Sequence, residues 1–80
     1  MQIKLKDAEQ IETFVKITQS LESDVIVGEG NIQVDGKSLM GIMRLDLKKP
    51  YKIELHGSKS TDELESFIEQ IRPLGILIGE

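Results

Sequence analysis

Three side chains in this sequence stand where their types could hold a phosphoryl group or move a proton, and each also has a structural use. His56 is the only imidazole, the side chain whose ordinary pKa suits acid and base work near neutrality. It closes the run Tyr51-Lys52-Ile53-Glu54-Leu55-His56, just before Gly57. With a period of two, it falls on the face opposite Tyr51, Ile53 and Leu55. No residue at motif spacing supplies the orienting partner a general base needs, so a surface residue at a strand end is the better reading. Asp7 could accept a phosphoryl group as an acyl phosphate, but no supporting lysine or metal-binding carboxylate cluster accompanies it. With Gln10 three residues on, it has the form of a helix N-cap and its reciprocal partner. Ser38 opens a short apolar segment, where a hydroxyl caps free amides and the same amides would welcome a phosphate. Lys37 beside it and Arg44 about two turns on could offset phosphate charge.

Composition removes several chemistries. A chain with no cysteine and one histidine cannot build a disulfide framework, a redox CxxC pair, a zinc finger, an iron-sulfur site or a thiol nucleophile. Gly28, Gly30 and Gly36 do not have the spacing of a dinucleotide or phosphate loop and read as turn residues. The acids between Asp62 and Glu69 interleave with Leu64, Phe67 and Ile68 and read as the solvated face of a helix. No catalytic residue, metal site or cofactor is therefore expected. Fourteen acids against ten basic residues give a charge of -4, the wrong sign for neutralising a phosphate backbone, so no nucleic-acid partner is expected. The apolar run Leu74 to Ile78 is far short of the roughly 20 residues that cross a bilayer. The first six residues alternate polar and apolar, unlike a signal peptide, so a soluble cytoplasmic protein is expected.

Eighty residues leave room for one domain with a thin core. Ile3 and Leu5 alternate with Gln2, Lys4 and Lys6 as a first strand. From Asp7, the positions Ile11, Phe14, Val15, Thr18 and Leu21 recur at helical spacing over about three turns. Val25-Ile26-Val27 and Ile32-Gln33-Val34 are β-branched runs joined through Gly28-Glu29-Gly30-Asn31, two glycines free to take the positive φ of a tight hairpin. Ser38 to Leu45 is apolar almost all round and too short for a core helix. Tyr51, Ile53 and Leu55 mark a fourth strand after Pro50. Ser60 with Glu63 has the form of a capping box for a helix carrying Leu64, Phe67, Ile68 and Ile71, which closes before Pro73.

The order βαββαβα followed by an apolar tail predicts an α+β fold, an open-faced sandwich with an antiparallel four-stranded sheet covered on one face by helices. The tail over 74–80 either adds an edge strand or covers the sheet. Leu39, Met40, Ile42, Met43 and Leu45 cannot all face inward from one short helix. The expectation is a split in which Leu39, Met40 and Met43 are exposed, and an exposed Met/Leu patch suits an adaptable protein-binding surface.

The stretch Ile32-Gln33-Val34-Asp35-Gly36-Lys37-Ser38-Leu39-Met40-Gly41-Ile42-Met43-Arg44-Leu45 resembles the middle of HPr, the phosphocarrier of the bacterial sugar phosphotransferase system. That family has Lys-Ser-Ile-Met-Gly-Val-Met-Ser-Leu opening its short helix, and Ser23-Asp24-Val25 is similar to its Ser-Asp-Ile at the second strand. The turn before Ser38 is about four residues shorter than in that family. The resemblance implies an HPr-like domain over 1–80, bacterial origin and a protein that is not an enzyme. Its implied partners are HPr kinase, phosphotransferase components or a transcription regulator, and it admits a homodimer. Ser38 matches the serine that an ATP-dependent HPr kinase phosphorylates, and Leu39, Met40 and Met43, with Lys37 and Arg44, match the docking patch.

The family's phosphoryl carrier is the histidine of Gly-Ile-His-Ala-Arg-Pro-Ala, and that motif is missing here. An ungapped count from Ser23-Asp24-Val25 puts Asp7 in the histidine's place, Glu9 in the arginine's and Gln10 in the proline's. Two carboxylates there would repel an incoming phosphate at the helix N-terminus. The expectation is therefore a regulatory interaction module, switched at Ser38, that has lost histidine transfer. The alternatives are a phosphocarrier of the phosphoenolpyruvate-dependent system, or a structural α+β domain that self-associates through its apolar tail.

Overall fold

The computed structural model describes residues 1–79. β1 (Gln2–Ile3) leads into α1 (Ala8–Gln19), followed by β2 (Asp24–Glu29), β3 (Ile32–Asp35), α2 (Leu39–Met43), β4 (Tyr51–His56) and α3 (Ser60–Ile71). A 3-10 turn over Arg72–Leu74 then precedes β5 (Leu77–Ile78). The sheet is antiparallel throughout, in the order β3-β2-β4-β1-β5. It has five strands rather than the expected four. The tail adds the fifth, pairing Leu77 with Ile3 and Ile78 with Gln2, while Ile76 is buried in the core. Gly75 at φ 70° makes the reversal that lets the chain return alongside β1.

The first strand is shorter than its alternation suggested. Leu5 is buried as expected, but the ladder stops at Ile3, and Lys4 N–H instead donates to the Ile76 carbonyl at 2.9 Å. The β2–β3 connection is tighter than the four-residue link read from sequence, since β2 runs to Glu29 and only Gly30 and Asn31 turn. Gly30 takes the positive φ, at 60°. Gly28 does not; it is needed because a Cβ there would run into the Ile32 carbonyl across the hairpin.

Alternation along β2 and β4 sends Val25, Val27, Tyr51 and Ile53 beneath the helices, where all four are buried. α1 contributes Ile11, Phe14, Val15 and Thr18, and α3 contributes Phe67 and Ile71. The rings of Phe14 and Phe67 meet edge to face, with centroids 6.1 Å apart and planes at 66°, the arrangement aromatic quadrupoles favour. Leu64 and Ile68 lie on the flank of this face; Leu64 is exposed and Ile68 half-buried.

The capping box expected at Ser60 and Glu63 does not form. Ser60 is already helical, and the cap position belongs to Lys59, with no side-chain bond. Glu63 turns away to the α1–β2 loop, where its carboxylate accepts from Glu22 N–H and Ser23 N–H, both at 2.8 Å, and from the Ser23 hydroxyl. Three donors at one carboxylate outweigh the single amide that a capping box would have offered. Lys59 adds an exposed ion pair to Glu22 at 2.9 Å, and that carboxylate raises the lysine's pKa above its ordinary value.

Candidate functional site

Two helix N-termini and one apolar patch hold the chemistry read from the sequence. At the start of α1, Asp7 has extended backbone and its Oδ1 accepts from Gln10 N–H at 2.9 Å. The return bond differs from the expected reciprocal cap. Gln10 Oε1 accepts from Lys6 N–H rather than from Asp7, and Gln10 Nε2 donates to the Leu74 carbonyl, both at 3.0 Å. Gln10 thereby ties the start of α1 to the turn before β5. The positive pole of α1 faces a protein carboxylate, with exposed Glu9 in the first turn. Asp7→Ala should destabilise the fold by about 1 kcal/mol, the usual cost of an N-cap. Chemical denaturation of the two proteins checks this.

At the start of α2, Ser38 has φ −100° and ψ 114°, and its Oγ accepts from Gly41 N–H at 3.1 Å. The turn before it is fastened to the end of α1. Thr18, wholly buried, places its hydroxyl 2.7 Å from the Gly36 carbonyl. Gln19 Nε2 donates to the Lys37 carbonyl at 3.0 Å, and Ser38 N–H donates to the Asp35 carbonyl at the same distance. Thr18 is read from sequence only as a position on the helix face and Gln19 not at all, because their partners here lie 18 residues away. Lys37 is placed differently from the reading that set it against a phosphate on Ser38. Its ammonium donates to the Leu21 carbonyl at 2.7 Å, toward the loop that Glu63 holds. Arg44 stands at the C-cap of α2, the end away from Ser38.

The short helix divides as its composition required. Ile42 is fully buried and Leu45 nearly so, whereas Leu39, Met40 and Met43 are 39%, 71% and 61% exposed. Three flexible apolar side chains on one turn and a half form an uncovered patch next to the Ser38 cap.

His56 lies elsewhere. β1 runs antiparallel to β4 with Ile3 opposite Tyr51, so α1 begins beyond the Tyr51 end of β4. His56 is at the other end, roughly 17 Å along the strand, on the uncovered face. Its Nε2 is 2.9 Å from Glu54 Oε1, and both side chains are well exposed. Glu54 is the partner the sequence reading missed; the period of two that placed His56 on the open face puts Glu54 there too. Among the described residues no cluster of three or more histidines and acids could hold a metal ion. No helix there is long and apolar enough to cross a membrane.

The model of the PTS-HPr family, described as the PTS HPr component phosphorylation site, matches residues 7–72, more than four-fifths of the chain. The protein belongs to the HPr family. Members of this family are phosphocarriers rather than enzymes, and this HPr-like chain is a relative of the phosphotransferase system. No curated protein matches the sequence significantly.

Solved structures share the fold at low identity. The histidine-containing phosphocarrier protein of Mycoplasma has a TM-score of 0.76 at 13% identity, covering 99% of this chain and 98% of its own. An HPr dimer from Thermoanaerobacter tengcongensis has a TM-score of 0.69 at 24% identity, covering 92% and 84%. The catabolite repression containing protein Crh of Bacillus subtilis, described as a swapped, intertwined dimer, has a TM-score of 0.68 at 23% identity, covering 91% and 85%. The family match runs through α1, the Ser38 turn and α2, and its first residue is Asp7.

Proposed function

We propose that this HPr-like protein is a cytoplasmic regulatory module that docks protein partners through Leu39, Met40 and Met43, with Lys37 and Arg44 beside them. In this reading it is switched by phosphorylation at Ser38 and carries no phosphohistidine. One observation carries it: the N-terminus of α1 is capped by Asp7 instead of presenting an imidazole, with Glu9 in the same turn. The sole histidine stands at the far end of β4 on the other face of the sheet. A phosphoryl group arriving at α1 would meet two carboxylates and no acceptor nitrogen. The Mycoplasma relative is named for its histidine, and Crh is named for catabolite repression; this chain is closer in its chemistry to a regulator than to a carrier. Self-association through the tail is disfavoured, because Ile76 is buried and Leu77 and Ile78 are paired with β1.

The test is the intact mass after separate incubation with HPr kinase and ATP, and with enzyme I and phosphoenolpyruvate. One phosphate from the kinase, mapped to Ser38 and missing from Ser38→Ala, is the expected result, together with no label from phosphoenolpyruvate. Circular dichroism of Ser38→Ala accompanies it, since loss of the cap costs about 1 kcal/mol. Labelling by enzyme I would instead make the protein a phosphocarrier. No labelling by a kinase active on an ordinary HPr would leave Ser38 as a helix cap.

A further inference from the structure

The sheet has two edges, and they differ. β5 is two residues long and runs into Gly79, at φ 59°. β3 is four residues long; its one charge is Asp35 at the end, and Ile32-Gln33-Val34-Asp35 contains no lysine, no proline and no bulge to blunt the edge. The register fixes which backbone groups it exposes. Gly36 N–H donates to the Val25 carbonyl, so the hydrogen-bonded pairs across β2 and β3 are Val25 with Gly36, Val27 with Val34 and Glu29 with Ile32. Gln33, between two of these, therefore turns its N–H and carbonyl away from β2, along the open edge. Beside it Ile32 is 49% exposed, on the face that the helices otherwise cover.

We propose that β3 pairs antiparallel with β3 of a second copy, about a two-fold axis at Gln33, joining two sheets into one. The same residues that face outward on one copy must face outward on the other, and this limits the registers. Centred on Gln33, the pairing exchanges N–H and carbonyl bonds between the two Gln33 residues. It sets Ile32 against the partner's Val34 and Asp35 against the partner's Asn31. Aliphatic side chains then cover each other on one face, and each carboxylate meets a neutral amide rather than another charge. Sliding the strands by two residues sets one aliphatic side chain of each copy against Gly30 or Gly36 and loses that match. Only the register centred on Gln33 pairs both aliphatic side chains of each copy, and it has the two-fold symmetry that an isologous contact requires.

Sedimentation equilibrium over the micromolar to millimolar range tests this in the wild type, Gln33→Pro and Ile32→Lys. The Gln33 N–H is not used by β2, so proline there blocks an added strand while leaving the internal ladder intact. The wild-type mass should rise from 9.0 kDa toward twice that value, with both variants remaining at 9.0 kDa and keeping the wild-type circular dichroism. A wild type that stays at 9.0 kDa throughout overturns the proposal. So do variants that dimerise as the wild type does, since the contact is then elsewhere, at α2 or by exchange of β1. If Gln33→Pro fails to fold, Ile32→Lys alone decides. Labelling at Ser38 plays no part in this readout, so the outcome is independent of the regulatory reading.

Discussion

Phe67→Ala is expected to lower the melting temperature by at least about 12 °C, among the largest stability losses available from a single core residue here. Phe67 is completely buried and meets Phe14, also completely buried, across the α1–α3 seam. Removing a buried phenyl group costs about 3–5 kcal/mol in transfer and cavity terms, and a chain of this length has a total stability of roughly 4–12 kcal/mol. At about 4–8 °C per kcal/mol for a domain of this size, such a loss moves the transition well outside experimental error. Phe67→Leu keeps most of the volume and should retain most of the stability. A thermal melt followed by circular dichroism distinguishes the two, and equal midpoints for Phe67→Ala and the wild type would mean the seam is not the core. The pair energy of the two rings, about 0.5–1.5 kcal/mol, should appear as non-additivity with Phe14→Leu in a double-mutant cycle.

The elements read from sequence were those written in local periodicity. The helical spacing of Ile11, Phe14, Val15 and Thr18 and the alternation of Tyr51, Ile53 and Leu55 gave α1 and β4 directly, with all but the half-buried Leu55 in the core. Leu21, read on the same helix face, is instead buried just beyond the Ser20 C-cap. The split of α2 was legible for a different reason: five apolar residues on so short a helix cannot all face one way. What escaped detection involved partners distant in the chain. Ser60 and Glu63 had the spacing of a capping box, yet Glu63 serves Glu22 and Ser23, some 40 residues earlier. The fifth strand was undecidable because two residues carry no period. Its place depends on β1, far away at the other end of the chain, having an open edge.

The candidate site shows the same division. Asp7 and Ser38 were found as caps because a cap is a local motif, and both make the bond that the motif predicts. The direction of Lys37 was not legible. A cation next to a hydroxyl suggests charge compensation, but the α1–β2 loop presents the Leu21 carbonyl within reach and holds the ammonium there. The surface beside Ser38 is thus set by Thr18, Gln19 and the loop carbonyls as much as by α2 itself.

That loop should also make the fold sensitive to acid. The Glu63 carboxylate is held below its ordinary pKa, first by the Ser23 hydroxyl and then by the amides of Glu22 and Ser23, with Lys37 adding a smaller attraction. A group whose pKa is lower in the folded state than in the unfolded chain binds fewer protons when folded. Its contribution is therefore complete above the unfolded value near 4.5 and is lost as the pH falls through the folded value. Glu63→Gln removes that dependence, because an amide is neutral and offers one oxygen where the carboxylate offered two. The variant should be clearly less stable than the wild type at neutral pH, and the two denaturation midpoints should approach one another as the pH drops below the ordinary glutamate range. Ser23→Ala, which removes one of the three donors while leaving the charge, should show a smaller version of the same loss. Urea midpoints measured from neutral pH down to the onset of acid unfolding make the comparison. Parallel wild-type and Glu63→Gln curves over that whole range would mean that the carboxylate does not fasten the loop through its charge. A Glu63→Gln variant as stable as the wild type at neutral pH would mean that the α1–β2 loop, and with it the carbonyl that holds Lys37, is positioned without Glu63.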